Sequence, residues 1–302
     1  MATLSTDTLG GLLPRSVSED IWKAATQAAV VPTLAKAHPI ILGENIIPVL
    51  SKRPAASIVG ELENKPGSEI ELGAKSIKPI KAVVGLEFSM ETVHANPANV
   101  MDMLSEELSE ALARQIDLAI LHGRQASTGT ALSGDPDYIN KTTNRVELTD
   151  NPAAADQALW DGYELVVGGE KAYNFTGFGF DPRFTARLAN ARDKEGRRLN
   201  PDIPMGGGLS NYSGQPVVTS RTISGQVDAS DDSGVRAFGG DWEQLRFGRA
   251  LDINLKKIEY GDPFGNGDLQ RRNAVAFLSE VIFGWGILNT DAFVAYDAPK
   301  AE

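Results

Sequence analysis

The chain has 302 residues, a formal net charge of −11 and no cysteine. Its 42% hydrophobic and 23% charged residues exclude a chain that is disordered throughout, and the lack of cysteine excludes disulfides and thiolate metal sites. No apolar run reaches the ~20 residues of a membrane span, and residues 1–13 lack the pattern of a signal peptide. We therefore expect a cytoplasmic protein.

The excess of acidic residues, 40 against 29 basic residues, disfavours binding to the phosphates of nucleic acid. One local basic cluster, residues 187–198, is interrupted by Asp193 and Glu195. A solvated helix face and turn explains this cluster better than a DNA contact does.

Residues 1–40 contain few core-forming side chains apart from one short helical pattern. Ser18 is a candidate N-cap, apolar residues recur around Trp22 on one face, and Pro32 ends the pattern. A short amphipathic helix in an otherwise loose segment is typical of an arm that packs on another surface. Trp22 is its predicted anchor.

Residues 44–90 show the pattern of a long β-hairpin. Its outgoing limb contains Ile46, Ile47 and Leu50, its tip is dense in turn residues, and its last seven residues alternate between apolar and polar. Because a two-stranded ribbon is marginally stable in water, we expect it to lie on a neighbouring subunit. The three apolar residues are the predicted interface at its base, and Lys65 is the interface candidate at its polar tip.

The clearest helix is predicted over residues 97–122. Asn96 is a plausible N-cap, Pro97 fits the first helical position, and Gly123 supplies the stop. At 1.5 Å per residue this helix is a rod of about 39 Å.

The second half of the chain mixes helices and strands. A helix is predicted over 153–167 and another from Pro182, with Asp181 as its cap. Near the C-terminus, residues 251–255 alternate as in a strand with one face in water, and residues 275–283 are apolar on both faces, as in a central strand.

Short motifs follow one another in a fixed order after the arm, the hairpin and the long helix. They are Asp-Pro-Arg at 181–183, Asp-Lys-Glu-Gly at 193–196, Gly-Gln-Pro-Val-Val at 214–218 and Phe-Gly-Gly-Asp at 238–241. Each motif alone is weakly specific, but their order resembles that of tailed-phage major capsid proteins of the Hong Kong 97 type over essentially the whole chain. The resemblance implies an α+β capsid fold.

The same resemblance implies a domain organisation. It comprises an N-terminal arm (1–43), an extended loop (44–88), a peripheral domain (89–149 and 241–283) around a spine helix (97–122), and an axial domain (150–240 and 284–302). The implied function is self-assembly, as hexamers and pentamers, into the icosahedral virion capsid that encloses double-stranded DNA without sequence-specific binding. Assembly would take place in the cytoplasm of the host bacterium. Separate scaffolding, portal and decoration proteins are further expected partners. No contact with a membrane is expected.

Some members of this family join neighbouring subunits by an isopeptide bond between a hairpin Lys and an Asn, assisted by a Glu. Asn273 and Glu280 match that motif, and Lys75 lies one residue from the expected position. In the hypothesis Lys75 attacks the Asn273 carboxamide and expels ammonia, while Glu280 accepts the lysine proton. The alternative is structural, with Asn273 ending a turn and Glu280 pairing with Arg271 or Arg272.

The sequence offers few candidate residues for enzyme catalysis. His38, His94 and His122 lack metal-ligand spacing, although the end of the long helix favours a cation at His122. No nucleophile elbow or phosphate-binding loop is present. The aspartates between 228 and 232 are interpreted as an exposed acidic loop, and the aromatic residues between 160 and 184 as core. We expect no cofactor, no metal and no enzyme.

Two other readings remain open. An encapsulin-like bacterial nanocompartment would use the same fold to hold a cargo enzyme, although the long arm and long hairpin favour the viral use. A soluble α/β enzyme would need a cleft with an acid–base pair, for which the sequence offers no nucleophile, metal cluster or phosphate loop.

Overall fold

The computed structural model describes residues 29–52, 54, 56–61, 64–69, 71–91, 97–169, 171–204 and 209–299. In these ranges the chain forms helices together with a two-stranded hairpin, a three-stranded sheet and a six-stranded sheet, so the predicted α+β class is confirmed. None of the helices in the described ranges has the length and apolar character needed to cross a membrane.

The elements follow the order that the sequence patterns predict, but Pro32, the predicted end of the arm helix, lies inside the first described helix. The helices are α1 (Val30–Leu34), α2 (Pro97–His122), α3 (Ala154–Val167) and α4 (Pro182–Ala189). The strands are β1 (Asn45–Lys52), β2 (Glu71–Ile77), β3 (Ile80–Ser89), β4 (Arg145–Glu147), β5 (Gly177–Phe180), β6 (Asn211–Tyr212), β7 (Gln215–Thr219), β8 (Val235–Gly240), β9 (Leu245–Ile258), β10 (Ala274–Ile287) and β11 (Phe293–Asp297).

Local signals set the ends of the predicted helices. Helix α2 begins at Pro97 and is followed by Gly123, whose φ of +64° is a conformation that glycine adopts without strain. Helix α4 is capped by Asp181, whose carboxylate accepts a hydrogen bond from the Arg183 N–H at 2.8 Å. The predicted ends at Pro97, Gly123 and Asp181 are confirmed, and Asn96, the predicted N-cap of α2, lies outside the described residues.

The hairpin is shorter than the sequence pattern indicated. Among the described residues, strand β1 pairs with β2, in a register that sets Ile47 opposite Lys75, and β3 leaves the hairpin to pair with β10. Strand β10 is central in the sheet order β3-β10-β9, as its apolar character on both faces predicted. Residues 84–89 therefore alternate because they pack on the sheet with β10, and the prediction that they continue the hairpin is wrong.

The first core lies between the three-stranded sheet, α1 and the C-terminal half of α2. Its large side chains include Ile116, Trp242 and Phe283, all essentially inaccessible to water. The indole N–H of Trp242 donates to the Gly177 carbonyl at 3.0 Å, which satisfies its polar atom and ties the end of β8 to β5. Burying each of these side chains contributes about 1.5–3 kcal/mol before the entropy of ordering is subtracted.

The second core lies between the six-stranded sheet, in the order β4-β11-β8-β5-β7-β6, and helices α3 and α4. Helix α3 approaches the sheet closely because Gly162 has no side chain: a Cβ there would lie 2.2 Å from the Tyr296 Oη. The Tyr296 hydroxyl donates to the Leu159 carbonyl at 3.1 Å. Phe178, Phe180 and their aromatic neighbours fill the remaining space.

Candidate functional site

Half of the large exposed apolar side chains among the described residues lie in or beside the hairpin. Large apolar residues are exposed at Ile41, Leu42, Ile46, Ile58, Val59 and Val83. Single exposed apolar side chains are ordinary on a soluble protein, but a concentration within some forty residues of chain marks a surface that contacts another protein. We define residues 41–83 as the hairpin region.

The predicted interface residues fall in different environments. Ile46 is 65% exposed, Ile47 is half-buried, and Lys65 is exposed on the segment between β1 and β2. The backbone of Leu50 lies opposite Leu72, but the Leu50 side chain and the whole of Trp22 lie outside the described residues. Their roles as interface anchors stay predictions.

Lys75 fastens the base of the hairpin to the rest of the subunit. Its ammonium donates to the Asp137 carboxylate at 2.8 Å and to the Ile287 carbonyl at the end of β10. Both charged side chains are partly exposed, so the ion pair contributes at most about 1 kcal/mol to stability. Its consequence is geometric, because it holds β2 beside the C-terminal end of β10.

Asn273 precedes strand β10, and Glu280 lies within it. Asn273 sits just before β10 with φ of +50°, and its side-chain amide donates to Glu91 at 3.4 Å. Glu280 is in the middle of β10 and pairs with Lys81 at 3.0 Å. Its partner is therefore this lysine, not the arginine that the structural alternative proposed; of those, Arg272 pairs with Glu87 at 2.5 Å.

One subunit does not bring the three predicted crosslink residues together. Lys75 contacts the Ile287 end of β10 and Asn273 precedes its other end, so they lie roughly 45 Å apart along the strand. Glu280 lies seven residues further along, in the middle of β10, where it pairs with Lys81. A crosslink would have to form between subunits, and it stays a prediction.

Boiling assembled particles in detergent tests that prediction. A crosslink between subunits would give a ladder of bands above the 32.3 kDa monomer. The ladder should disappear in Lys75→Met and Asn273→Ala particles, because each change removes a reacting group. Lys78→Met, at a neighbouring exposed lysine, is the matched control. A single monomer band from wild-type particles would rule the crosslink out.

A buried carboxylate joins helix α1, within the predicted arm, to the long helix α2. Asp117 of α2 accepts hydrogen bonds from the Val30 and Val31 N–H groups at 2.9 and 3.0 Å, and from the Thr222 hydroxyl at 2.8 Å. The two N–H groups belong to the start of α1, which has no side-chain cap of its own. Burial nevertheless raises the pKa of Asp117 to about 6. Sequence analysis missed this residue because its partners are about ninety residues or more away.

His122 is a neutral imidazole, whereas the sequence analysis expected the end of the long helix to favour a cation there. Its Nε2–H donates to the Ile223 carbonyl at 3.0 Å, and burial lowers its pKa to about 4. The cost of burying the imidazolium outweighs the helix dipole, which contributes only about 0.3–1 kcal/mol at an exposed site. Within the described ranges, no group of three or more histidine, aspartate and glutamate side chains could hold a metal ion.

The aromatic cluster is mainly core. Phe178, Phe180 and Phe184 are buried and pack edge-to-face or tilted on one another. Trp160 and Tyr163 cover the outer side of the cluster and are 49% and 38% exposed, beside a cavity of about 140 Å³. The interpretation as core therefore holds for the phenylalanines, and the two outer residues are part of the surface.

Comparison with known proteins identifies the family. A family model described as the phage capsid family matches residues 10–298. A probable major capsid protein, gp17, of Mycobacterium phage D29 is 27% identical over 299 residues, covering 94% of this chain and 89% of that protein. A solved structure from Gordonia phage Cozz is 57% identical, with a TM-score of 0.81, over 91% of this chain and 87% of that chain.

A second solved structure, from Mycobacterium phage Ogopogo, is 32% identical with a TM-score of 0.78, over 89% of this chain and 92% of that chain. The chain therefore belongs to the phage capsid family. The resemblance noted in the sequence and the function of a phage major capsid protein are confirmed, and the encapsulin alternative is not favoured. Its place is the virion capsid, a shell made of many copies of one chain.

Proposed function

We propose that this capsid protein assembles through hexamers and pentamers into a closed icosahedral shell around double-stranded DNA. The observation that carries the proposal is the exposed apolar hairpin region, which a single subunit leaves in water. Covering it with neighbouring copies removes that surface from water at about 25 cal/mol per Å². The net charge of −11 suits a wall that encloses DNA without adhering to it.

The two cores support the proposed division into peripheral and axial domains. The first core is centred on the sheet of β3, β9 and β10 with α2, and one face of the six-stranded sheet also borders it. The other face of the six-stranded sheet packs with α3 and α4 to form the second core. In the proposal the arm (1–43) and the extended loop (44–88) reach neighbours, while the two domains form the rigid body of each subunit. Because β3 belongs to the first sheet from Ile80 onwards, only the part of the extended loop before Ile80 lies outside that sheet.

The proposed role needs no catalytic step, cofactor or metal, and it is carried by surfaces alone. Assembly is proposed to occur in the cytoplasm of the host bacterium. Separate scaffolding, portal and decoration proteins are its proposed partners there, in addition to other copies of the chain.

Sedimentation velocity with negative-stain microscopy, on the chain expressed alone and with its scaffold, tests the assembly. Closed shells or capsomer-sized rings are expected. Removing residues 1–28 should abolish closed shells, because the arm contributes area that no neighbour replaces, while the Asp117 contacts with α1 remain and the subunit stays folded. Normal shells from the truncated chain would contradict the role of the arm. A persistent monomer with scaffold present would contradict the proposed function.

A further inference from the structure

A cavity with aromatic walls lies on the outer side of the second core, beside helix α3. Its volume is about 140 Å³, and five of its eight lining residues are aromatic. The aromatic residues are Trp160, Tyr163, Phe175, Phe178 and Tyr212. We call this space the aromatic cavity. One subunit contains all of it, so assembly does not account for it.

The five rings form a continuous wall. Neighbouring rings along the wall have centroids 4.6–6.1 Å apart and interplanar angles of 50–83°. Rings inclined in this way surround a space from several sides, whereas parallel stacked rings would close it. Trp160 and Tyr163 are 49% and 38% exposed, so they form the side of the cavity that meets water. A cation placed over the face of such a ring is attracted by its quadrupole.

Two carboxylates lie one helical turn on either side of Trp160. Asp156 precedes it by four residues on α3 and Glu164 follows it by four, so the three side chains share one face of the helix. The hydroxyl of Tyr212, in the wall of the cavity, donates to Asp156. Burial raises the pKa of Asp156, with no basic group acting against it. In the described part of the chain neither carboxylate forms an ion pair with a lysine or an arginine, so their charge is left for a ligand.

The rings and the carboxylates together restrict the class of ligand. A neutral apolar molecule would gain contact with the rings but nothing from the carboxylates. A metal ion would gain from the carboxylates but would lose its hydration among apolar walls. A cation whose charge is surrounded by carbon atoms gains from both.

The polar groups of the wall favour a nitrogen that carries no hydrogen. A buried primary ammonium needs acceptors for three N–H donors. Apart from the Tyr212 hydroxyl, which already donates to Asp156, the polar side chains of the wall are those of Ser213 and Gln215. A quaternary ammonium has no donor to satisfy, so it leaves water at a lower cost.

The volume of the cavity sets the size of the group. An apolar cavity of about 150 Å³ holds a benzene molecule, so a cavity of this volume takes a group of about six heavy atoms. A trimethylammonium group together with the two carbons that follow it has this size.

We propose that the aromatic cavity binds a small choline-like cation, with the five rings around its trimethylammonium group and with Asp156 and Glu164 supplying the opposite charge. This role goes beyond the proposed assembly, because the site is complete in one subunit. A bound cation fills the cavity and compensates the carboxylates, so it stabilises the folded subunit.

Ligand-observed NMR titration of the unassembled full-length subunit with choline chloride tests the site. Choline is expected to bind saturably. Its neutral isostere dimethylbutanol, in which a carbon atom replaces the nitrogen, is expected to bind about tenfold more weakly, which is the size of a cation–π contribution. Potassium chloride at the same concentration should not displace choline. Equal affinity for choline and dimethylbutanol would overturn the proposal, and so would the lack of saturable choline binding.

Variants separate the rings from the apolar bulk of the cavity. Trp160→Leu and Tyr163→Leu keep an apolar side chain at positions that are partly exposed, so both are expected to fold. Each should lower the affinity for choline about tenfold and leave that for dimethylbutanol nearly unchanged. Asp156→Asn and Glu164→Gln should also weaken the binding of choline alone. Tyr260→Leu, at an exposed loop position, is the matched control and should bind choline like wild type.

Two further outcomes would contradict the site. Choline binding that survives both leucine substitutions would show that the rings do not hold the cation. Retention of the subunit on phosphatidylcholine vesicles without binding of free choline would overturn the proposal in favour of a lipid surface. Neither outcome bears on shell assembly, which sedimentation velocity tests separately.

Discussion

The destabilisation caused by Asp117→Asn is expected to shrink by about 2 kcal/mol as the pH rises from about 4 to about 6. The carboxyl is buried, and its pKa is raised from 3.8 to about 6 in the folded subunit. A raised pKa means that the folded state holds the proton more tightly than the unfolded state. The wild-type subunit therefore loses this stabilisation as the pH rises through that window, and the asparagine variant has none to lose.

The remaining cost at neutral pH comes from the hydrogen bonds. Asparagine keeps one acceptor oxygen but turns an amide donor towards the N–H groups of Val30 and Val31 or the hydroxyl of Thr222. A buried donor left without an acceptor costs about 1–3 kcal/mol. The expected destabilisation is thus about 2 kcal/mol at neutral pH and about 4 kcal/mol near pH 4.

Denaturant unfolding of the unassembled subunit between pH 4 and 7 measures this difference. His122→Asn should show the opposite slope, because burial lowers the pKa of His122 to about 4 and the wild type gains that stabilisation as the pH rises. Glu110→Gln, at an exposed position of the same helix, should give a small difference that does not change with pH. A pH-independent cost of Asp117→Asn would show that the buried carboxyl does not titrate in this range.

Sequence patterns predicted the elements better than their partners. The capping residues around α2 and α4 act within a few residues of chain, so Pro97, Gly123 and Asp181 were sufficient to set helix ends. The alternation over 84–89 also predicted a strand correctly. It could not tell that β10 is the partner, because any half-buried strand has the same period.

For charged residues, too, the sequence patterns did not identify the partners. Asp232 was interpreted as part of an exposed acidic loop, yet it pairs with Arg183 and Arg236 at 2.9 Å each, and hydrogen bonds from its partners lower its pKa to about 2. The Asp117 network joins residues 87 and 105 positions apart. Such long-range contacts depend on how sheets and helices pack, which no local pattern contains.

Replacing Gly248 with alanine is expected to destabilise the subunit by about 3 kcal/mol. The segment after α1 crosses strand β9 here: the His38 N–H donates to the Phe247 carbonyl at 2.8 Å. A Cβ on residue 248 would lie 1.9 Å from the His38 carbonyl oxygen and 2.9 Å from Ile40. The first of these is a backbone atom, so no rotamer change relieves the clash and the crossing segment must leave the strand.

The consequence extends from stability to assembly, because this segment connects α1 to the hairpin. With its contact on β9 lost, the chain from Ala37 to Ile40 no longer directs the hairpin from a fixed point. Asp117 still holds α1 through Val30 and Val31, so the subunit is expected to fold and to assemble poorly. Unfolding curves and shell yields of the same preparations separate the two effects.

Gly67→Ala is the matched control, because a Cβ at residue 67 meets nothing within 4 Å. The free energy of unfolding of this variant should lie within about 0.5 kcal/mol of the wild-type value, as is usual for surface substitutions. Any effect of this variant on shell assembly would come from the hairpin tip alone. If Gly248→Ala matched it in unfolding free energy, the close crossing of the two chain segments at β9 would be wrong. If Gly248→Ala were destabilised but assembled in full yield, the hairpin would need no fixed point at residues 37–40 for assembly.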